Sequence, residues 1–155
     1  DLAIFLTSNI EHHHWLEKMT LTKSRRRLWV ASHHELLNKG KLSLKDIAHH
    51  PYIMLTVDEA DQTALKYWKP EGVSPNIMFQ TSSVEAVRSM VANGTGITIL
   101  SDMVYRPWSL DSKRIEHIEL SSAIPSMEIG ISWPKNRPLS TPAKVFCNLA
   151  EMLLG

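Results

Sequence analysis

The sequence predicts an α/β fold built on a parallel sheet with helices on its faces. Three observations carry this. Apolar runs rich in strand formers occur at residues 52–57, 77–79 and 97–100. Two amphipathic stretches with helix start and stop signals lie between them. A strand–helix–strand–helix–strand order of this kind joins its strands by crossovers, and crossovers make strands parallel.

Each element follows from local chemistry. Residues 2–6 read as a buried strand, and the chain opens there with no basic flank or cleavage pattern of a signal peptide. Residues 7–23 are polar, His-rich and irregular, and residues 28–31 read as the next strand. Ser43-Leu44-Lys45-Asp46 has capping-box character and opens a short helix that stops before Pro51. A helix over about residues 58–69 starts with Asp58, Glu59 and Asp61 at its positive end and stops at Pro70 and Gly72. Ser82-Ser83-Val84-Glu85 is a second capping box, leading a helix with Val84, Val87, Met90 and Val91 at helical spacing and closed by Asn93-Gly94. Residues 115–120 read as a strand. Met127, Ile129, Ile131 and Trp133 alternate with Glu128, Gly130 and Ser132 at the period of a half-buried strand. The last helix has Thr141 as its cap, Pro142 at its first position, and an apolar face of Val145, Phe146, Leu149 and Leu153.

Composition narrows the function classes. Lys+Arg number 17 against 16 Asp+Glu, a net charge of +1, which disfavours a strongly basic nucleic-acid binder and gives no general pull toward membranes. No apolar run approaches the ~20 residues of a membrane span. Cys147 is the single cysteine, so no internal disulfide forms; a cytoplasmic setting and a small buried role for Cys147 are expected. Asn93-Gly94-Thr95-Gly96 leads from helix into strand, the reverse of a dinucleotide loop. The eight histidines stand at no recognised metal spacing, so no metal or other cofactor is expected. Lys23-Ser24-Arg25-Arg26-Arg27 reads as a solvated strand edge, and Tyr105 and Trp108 as parts of a packed loop at a protein contact. No nucleophile elbow or other catalytic motif occurs, so an enzyme is not expected.

Four passages in order resemble the effector domains of LysR-type transcriptional regulators: Asp1-Leu2-Ala3-Ile4; Ser43-Leu44-Lys45-Asp46-Ile47-Ala48 with Pro51-Tyr52-Ile53; Ser83-Val84-Glu85-Ala86-Val87 with Val91-Ala92-Asn93-Gly94-Thr95-Gly96-Ile97-Thr98-Ile99-Leu100; and the closing strand and helix. The resemblance implies a two-lobed fold like that of type 2 periplasmic binding proteins, with mixed and parallel sheets and an effector held between lobes. It puts crossing strands near residues 28–32 and 125–128. Residues 1–31 would then belong to the first lobe with its first crossing, 32–125 to the second lobe, and 126–155 to the second crossing and the helix returning to the first. A strand–helix–strand–helix segment and a winged helix precede the corresponding strand in the family, so an incomplete first lobe is expected here. Homodimers or homotetramers, and promoter DNA reached only through the winged helix, are the implied partners.

The resemblance and the strand-end rule together select the site. In open α/β sheets ligands bind beyond the C-terminal strand ends, at helix N-termini. Gln80, Thr81, Ser82 and Ser83 stand at such a place, and their hydroxyls and free N–H groups suit a small organic anion. A simple helix cap uses only one of those hydroxyls, so both roles fit. Thr7 and Ser8, which follow the first strand, would face the same cleft; an ordinary polar loop is the alternative. Ser32 and His33 are weaker candidates. Ile97 would serve the sheet core and a ligand wall together. A solute-binding protein of the same fold, linked to transport, is the competing function.

Overall fold

Separate hydrophobic cores organise the chain. The computed structural model describes residues 2–9, 14–57 and 60–154. Asp1–Arg25 with Ser126–Gly155 form one unit, and Arg26–Pro125 form another. In chain order the described elements are β1 (Ala3–Leu6), β2 (Leu16–Ser24), β3 (Arg26–Ala31), α1 (Leu44–Ile47), β4 (Pro51–Leu55), α2 (Ala60–Trp68), β5 (Asn76–Thr81), α3 (Val84–Ala92), β6 (Thr98–Ser101), β7 (Ile115–Ile118), β8 (Met127–Pro134) and α4 (Thr141–Leu154). The acidic start expected at Asp58 and Glu59, and the first residue of the Asp1-Leu2-Ala3-Ile4 fragment, lie outside the described residues.

In the first unit β8 is the central strand, paired antiparallel with β1 and β2. The alternation read at residues 127–133 sends Ile131 into the core, where it meets Leu21, Cys147 and Ala150. At Gly130 the strands leave no space: a Cβ there would stand 2.2 Å from the Met19 carbonyl oxygen and 2.8 Å from Thr7 Cγ2. Two expectations need correction. Residues 7–9 and 14–23 are not an irregular run, since Thr7–Asn9 form a 3-10 turn and Leu16 opens the nine-residue β2; the rest of that stretch lies outside the described residues. The strand signal is the alternation of Met19 and Leu21 with Lys18, Thr20 and Thr22. The cap of α4 is Ser140 rather than Thr141, because Ser140 Oγ accepts from the Ala143 N–H at 3.4 Å and its carbonyl from Lys144 at 3.0 Å.

The second unit has the predicted crossover pattern. β4 and β5 are parallel. An isolated parallel bridge, Tyr52 to Ile97, joins β4 to the strand that continues as β6. β6 pairs antiparallel with β3, which pairs antiparallel with β7. The order across the sheet is therefore β5-β4-β6-β3-β7, with β3 alone reversed. Period-two alternation divides the core between the two faces. Leu28, Val30, Tyr52 and Met54 meet Tyr67 and Trp68 of α2, while Trp29, Ile53 and Leu55 meet Val87 and Val91 of α3. Each such side chain, fully buried, contributes about 1.5–3 kcal/mol.

Local chemistry fixes the corners of this unit. The Ser43 N–H and hydroxyl both donate to the Asp46 carboxylate, at 2.7 and 2.6 Å, and hold the start of α1. α3 ends at Gly94, whose φ of +74° lies in the left-handed region that glycine reaches without strain. Sequence grouping put β3 with residues 1–31; both of its ladder partners are in Arg26–Pro125.

Candidate functional site

The parallel strands of the second unit end together. Thr81 is the last residue of β5, paired with Leu55, and the N–H of Thr56, the residue after β4, donates to the Thr81 carbonyl at 2.9 Å. α3 starts immediately beyond. Thr81 Oγ1 accepts from the Ser83 N–H at 3.1 Å, and Ser83 Oγ accepts from the Ala86 N–H at 3.1 Å. Two of the three candidate hydroxyls are thus engaged in shaping the turn. Ser82 is exposed, and its hydroxyl has no hydrogen-bond partner among the described residues. Gln80 is also exposed on β5. The first-turn N–H groups of Val84 and Glu85 have no carbonyl four residues back within the helix. One free hydroxyl and these donors therefore stand at the positive end of a nine-residue helix.

The charges around the turn are arranged. Glu85 lies in the first turn, where a carboxylate competes with any incoming anion. It is paired with Arg88, a guanidinium only 4% exposed, whose second nitrogen donates to the Val104 carbonyl at 2.6 Å. Sequence reasoning missed Arg88, although an arginine next to the Val84, Val87 and Val91 face of α3 was a visible signal. The same edge of the sheet carries further charge, because Arg26 pairs with Ser101 at the end of β6. Arg27 bridges Asp102 at 2.9 Å and bonds His117. The basic run read as a solvated edge is therefore partly buried at Arg26 and Arg27. Burial lowers the Arg26 guanidinium from its usual value, and the phenols of Tyr67 and Tyr52 beside it partly offset that; burial also pushes both phenols up.

The remaining candidates lie elsewhere. Ser32 follows β3 and Ile97 precedes β6, so both stand at the edge of the sheet opposite to Thr81. Ile97 is fully buried in the core. In the first unit Thr7 is also fully buried, with its methyl over Gly130 and its Oγ1 without a partner. Ser8 Oγ accepts from the Glu128 N–H at 3.2 Å. Glu128 itself accepts from Lys23 at 2.8 Å, and that bond holds its carboxyl below the usual range. Tyr105 packs edge-on to Trp29, and Trp108, although 52% exposed, pairs with Arg114, whose guanidinium lies 5.8 Å from its ring. His12 and His13 lie outside the described residues; among those described, no three His, Cys, Asp or Glu stand together as metal ligands do. No helix among the described residues is long and apolar enough to cross a membrane.

A parallel sheet with a polar turn at its C-terminal edge is the arrangement at which open α/β domains place ligands, and the comparisons give the family. The LysR substrate binding domain matches residues 1–153, and the chain belongs to that family. It is 29% identical over 147 residues to the uncharacterized HTH-type transcriptional regulator YybE of Bacillus subtilis, covering 94% of this chain and 49% of that protein. The chain thus spans about half the length of that relative. Its fold is similar to the crystal structure of HinK, a LysR family transcriptional regulator from Pseudomonas aeruginosa, with a TM-score of 0.85 and 25% identity over 100% of this chain and 54% of that one. The effector binding domain of QuiR, solved with shikimate, gives a TM-score of 0.78 at 22% identity over 99% of this chain and 71% of that one. These relatives are regulators rather than transport proteins, which favours the regulatory reading over the solute-carrier alternative.

Proposed function

We propose that this chain is the effector-sensing part of a LysR-type transcriptional regulator and that its effector is a small organic anion. The observation that carries the reading is the Thr81-Ser82-Ser83 turn, where a free hydroxyl and unpaired N–H donors meet the positive end of α3. Arg88 answers the Glu85 charge, so the turn accepts an anion without repelling it. QuiR was solved with shikimate, a carboxylate, which supports this ligand class. Ser82 and the N–H groups of Val84 and Glu85 contact the anion, Gln80 reads a polar substituent, and Thr81 and Ser83 hold the turn. Thr7, Ser32 and Ile97 serve the fold in this reading, and Ser8 anchors β8.

Effector binding shifts the population of regulator conformations. In the full-length protein, a cytoplasmic homodimer or homotetramer relays that shift to promoter DNA through a winged helix outside this chain. The domain catalyses no reaction and needs no cofactor. Calorimetric titration with shikimate and a panel of small carboxylates, each beside its neutral methyl ester, tests the site. An acid should bind where its ester does not, and Ser82→Ala should weaken binding by about tenfold, the loss of one hydrogen bond to a charged group. Equal binding of acid and ester, or unchanged affinity in Ser82→Ala, would sink the assignment.

A further inference from the structure

Four of the eight histidines fall between residues 33 and 50, at the corner joining β3 to β4. Three of their rings meet. The His50 ring lies 5.3 Å from that of His34 and 4.3 Å from that of His49, centroid to centroid. His50 is only 8% exposed, and its Nε2 has no hydrogen-bond partner. The Glu35 carboxylate stands 3.8 Å from that nitrogen, beyond hydrogen-bond range, on a side chain 65% exposed. His34 Nδ1 accepts from the Leu36 N–H at 3.2 Å and so caps the 3-10 turn Glu35–Asn38. That bond exists only while Nδ1 is unprotonated. The capped turn seats Leu36, which is fully buried in the core.

We propose that His34, His49 and His50 form a proton-sensitive latch: it holds the corner between β3 and β4 closed while His34 and His50 are neutral, and releases it when they take up protons. The charges around the latch come from every side. Glu35 favours the charged rings, whereas Lys39 opposes charge on both and His33 opposes it on His34. On β5 the facing group is Asn76, which is uncharged and donates to the His49 carbonyl at 3.2 Å. At the turn after α3 it is Gly94, against which His33 Nε2 rests. One exposed carboxylate therefore stands against burial, an ammonium and neighbouring imidazoles.

Burial, opposed by Glu35 and aided by Lys39 and the adjoining imidazoles, holds both His34 and His50 below the ordinary histidine value. The sign follows from linkage. The unfolded chain takes up protons on these rings near pH 6.5, while the folded chain still excludes them. The latch is at full strength above about pH 6.5 and weakens as the pH falls from there through the lower folded values. Protonation removes the acceptor that caps Leu36 and places a charge on buried His50, whose nearest carboxylate is the exposed Glu35 at 3.8 Å.

Amide hydrogen exchange of the full chain, read as protection factors from pH 7.5 to 5.0, tests the latch. Leu36, Leu37 and Lys39 should lose at least tenfold in protection across that range, while Ile53 and Ile99 keep theirs. His34→Asn, whose side-chain oxygen accepts the same bond without titrating, should blunt the loss at Leu36. Unchanged protection at Leu36 down to pH 5.0 would overturn the proposal in the native chain alone. So would a loss at Leu36 and Ile53 together, which is global unfolding, or an undiminished loss in His34→Asn.

Discussion

The two units of this chain bury their apolar side chains very differently. In Arg26–Pro125 the central strands are buried on both faces, with Leu28, Trp29, Val30 and Ile53 fully buried, and the exposed apolar side chains are those of the edge strand β5 (Ile77, Met78 and Phe79) and of the surface positions Leu65, Met103, Trp108 and Leu110. In the other unit the core is Leu21, Ile131, Cys147 and Ala150, while Ile4, Trp15, Phe146, Leu149, Met152 and Leu153 are each between 43% and 78% exposed. The contrast is sharpest on α4. Its large apolar face, expected to be the buried one, points to solvent, and the buried stripe is Ala143, Cys147 and Ala150. Those three sit at helical spacing and are small enough for the helix axis to lie close on β2 and β8. Hydrophobic periodicity identifies a face that wants a partner; the side chains that reach one here are the small ones.

Substitution should separate the units cleanly. Trp29→Ala removes a fully buried indole packed edge-on to Tyr105 at 5.4 Å and should cost about 3–5 kcal/mol. Phe146→Ala removes a ring that is 43% exposed and should cost at most about 1 kcal/mol, because much of its surface is already in water. Urea unfolding followed separately by probes in each unit checks both, since two units need not unfold in one step. Equal costs at the two positions would mean that Phe146 is packed in solution.

Legibility in the sequence followed the same contrast. The strands of the second unit were readable because each holds a short apolar run, such as Leu28-Trp29-Val30-Ala31, Tyr52 to Leu55 or Ile97 to Leu100, with turn or cap signals near several of their ends. β2 was not readable because Lys18, Thr20, Thr22 and Lys23 outweigh Met19 and Leu21, and a strand with one wet face looks like a loop when its alternation is short. The turn at residues 80–83 was legible from capping chemistry, but which hydroxyl remains free was not. That depends on Thr81 turning back to the Ser83 N–H, a rotamer choice that spacing does not encode. Ser32 and Thr7 each follow a strand, and spacing shows no more than that. The pairing register then put Ser32 at the wrong edge to join Thr81, and packing over Gly130 enclosed Thr7.

Gly130 gives the next effect in size. A methyl there would meet the Met19 carbonyl and the Thr7 methyl at distances no side chain tolerates. Gly130→Ala should therefore force β8 from β2 and cost about 1–3 kcal/mol or more, the usual range for overpacking. The strain should appear as lost amide protection in β1, β2 and β8, with β3, β4 and β6 unaffected. A neutral Gly130→Ala would mean that the strands of the first unit sit further apart than 2.2 Å allows, and the close packing of Thr7 would fall with it.

Thr7→Val yields a small effect of the opposite sign. The Thr7 hydroxyl is fully buried and unpaired, a situation that costs a protein about 1–3 kcal/mol. Valine keeps the methyl over Gly130 and replaces the hydroxyl with a second methyl of similar size, so the change should stabilise the chain by about 1 kcal/mol. The same variant decides what the hydroxyl is for. A stabilised Thr7→Val with unchanged carboxylate affinity makes Thr7 a packing residue and leaves recognition to the turn before α3. A stabilised variant that has lost the carboxylate means that the hydroxyl is kept unpaired for the ligand, at a cost to stability that a fold alone would not retain. A destabilised variant would show instead that Oγ1 has found a partner, and would remove Thr7 from both roles.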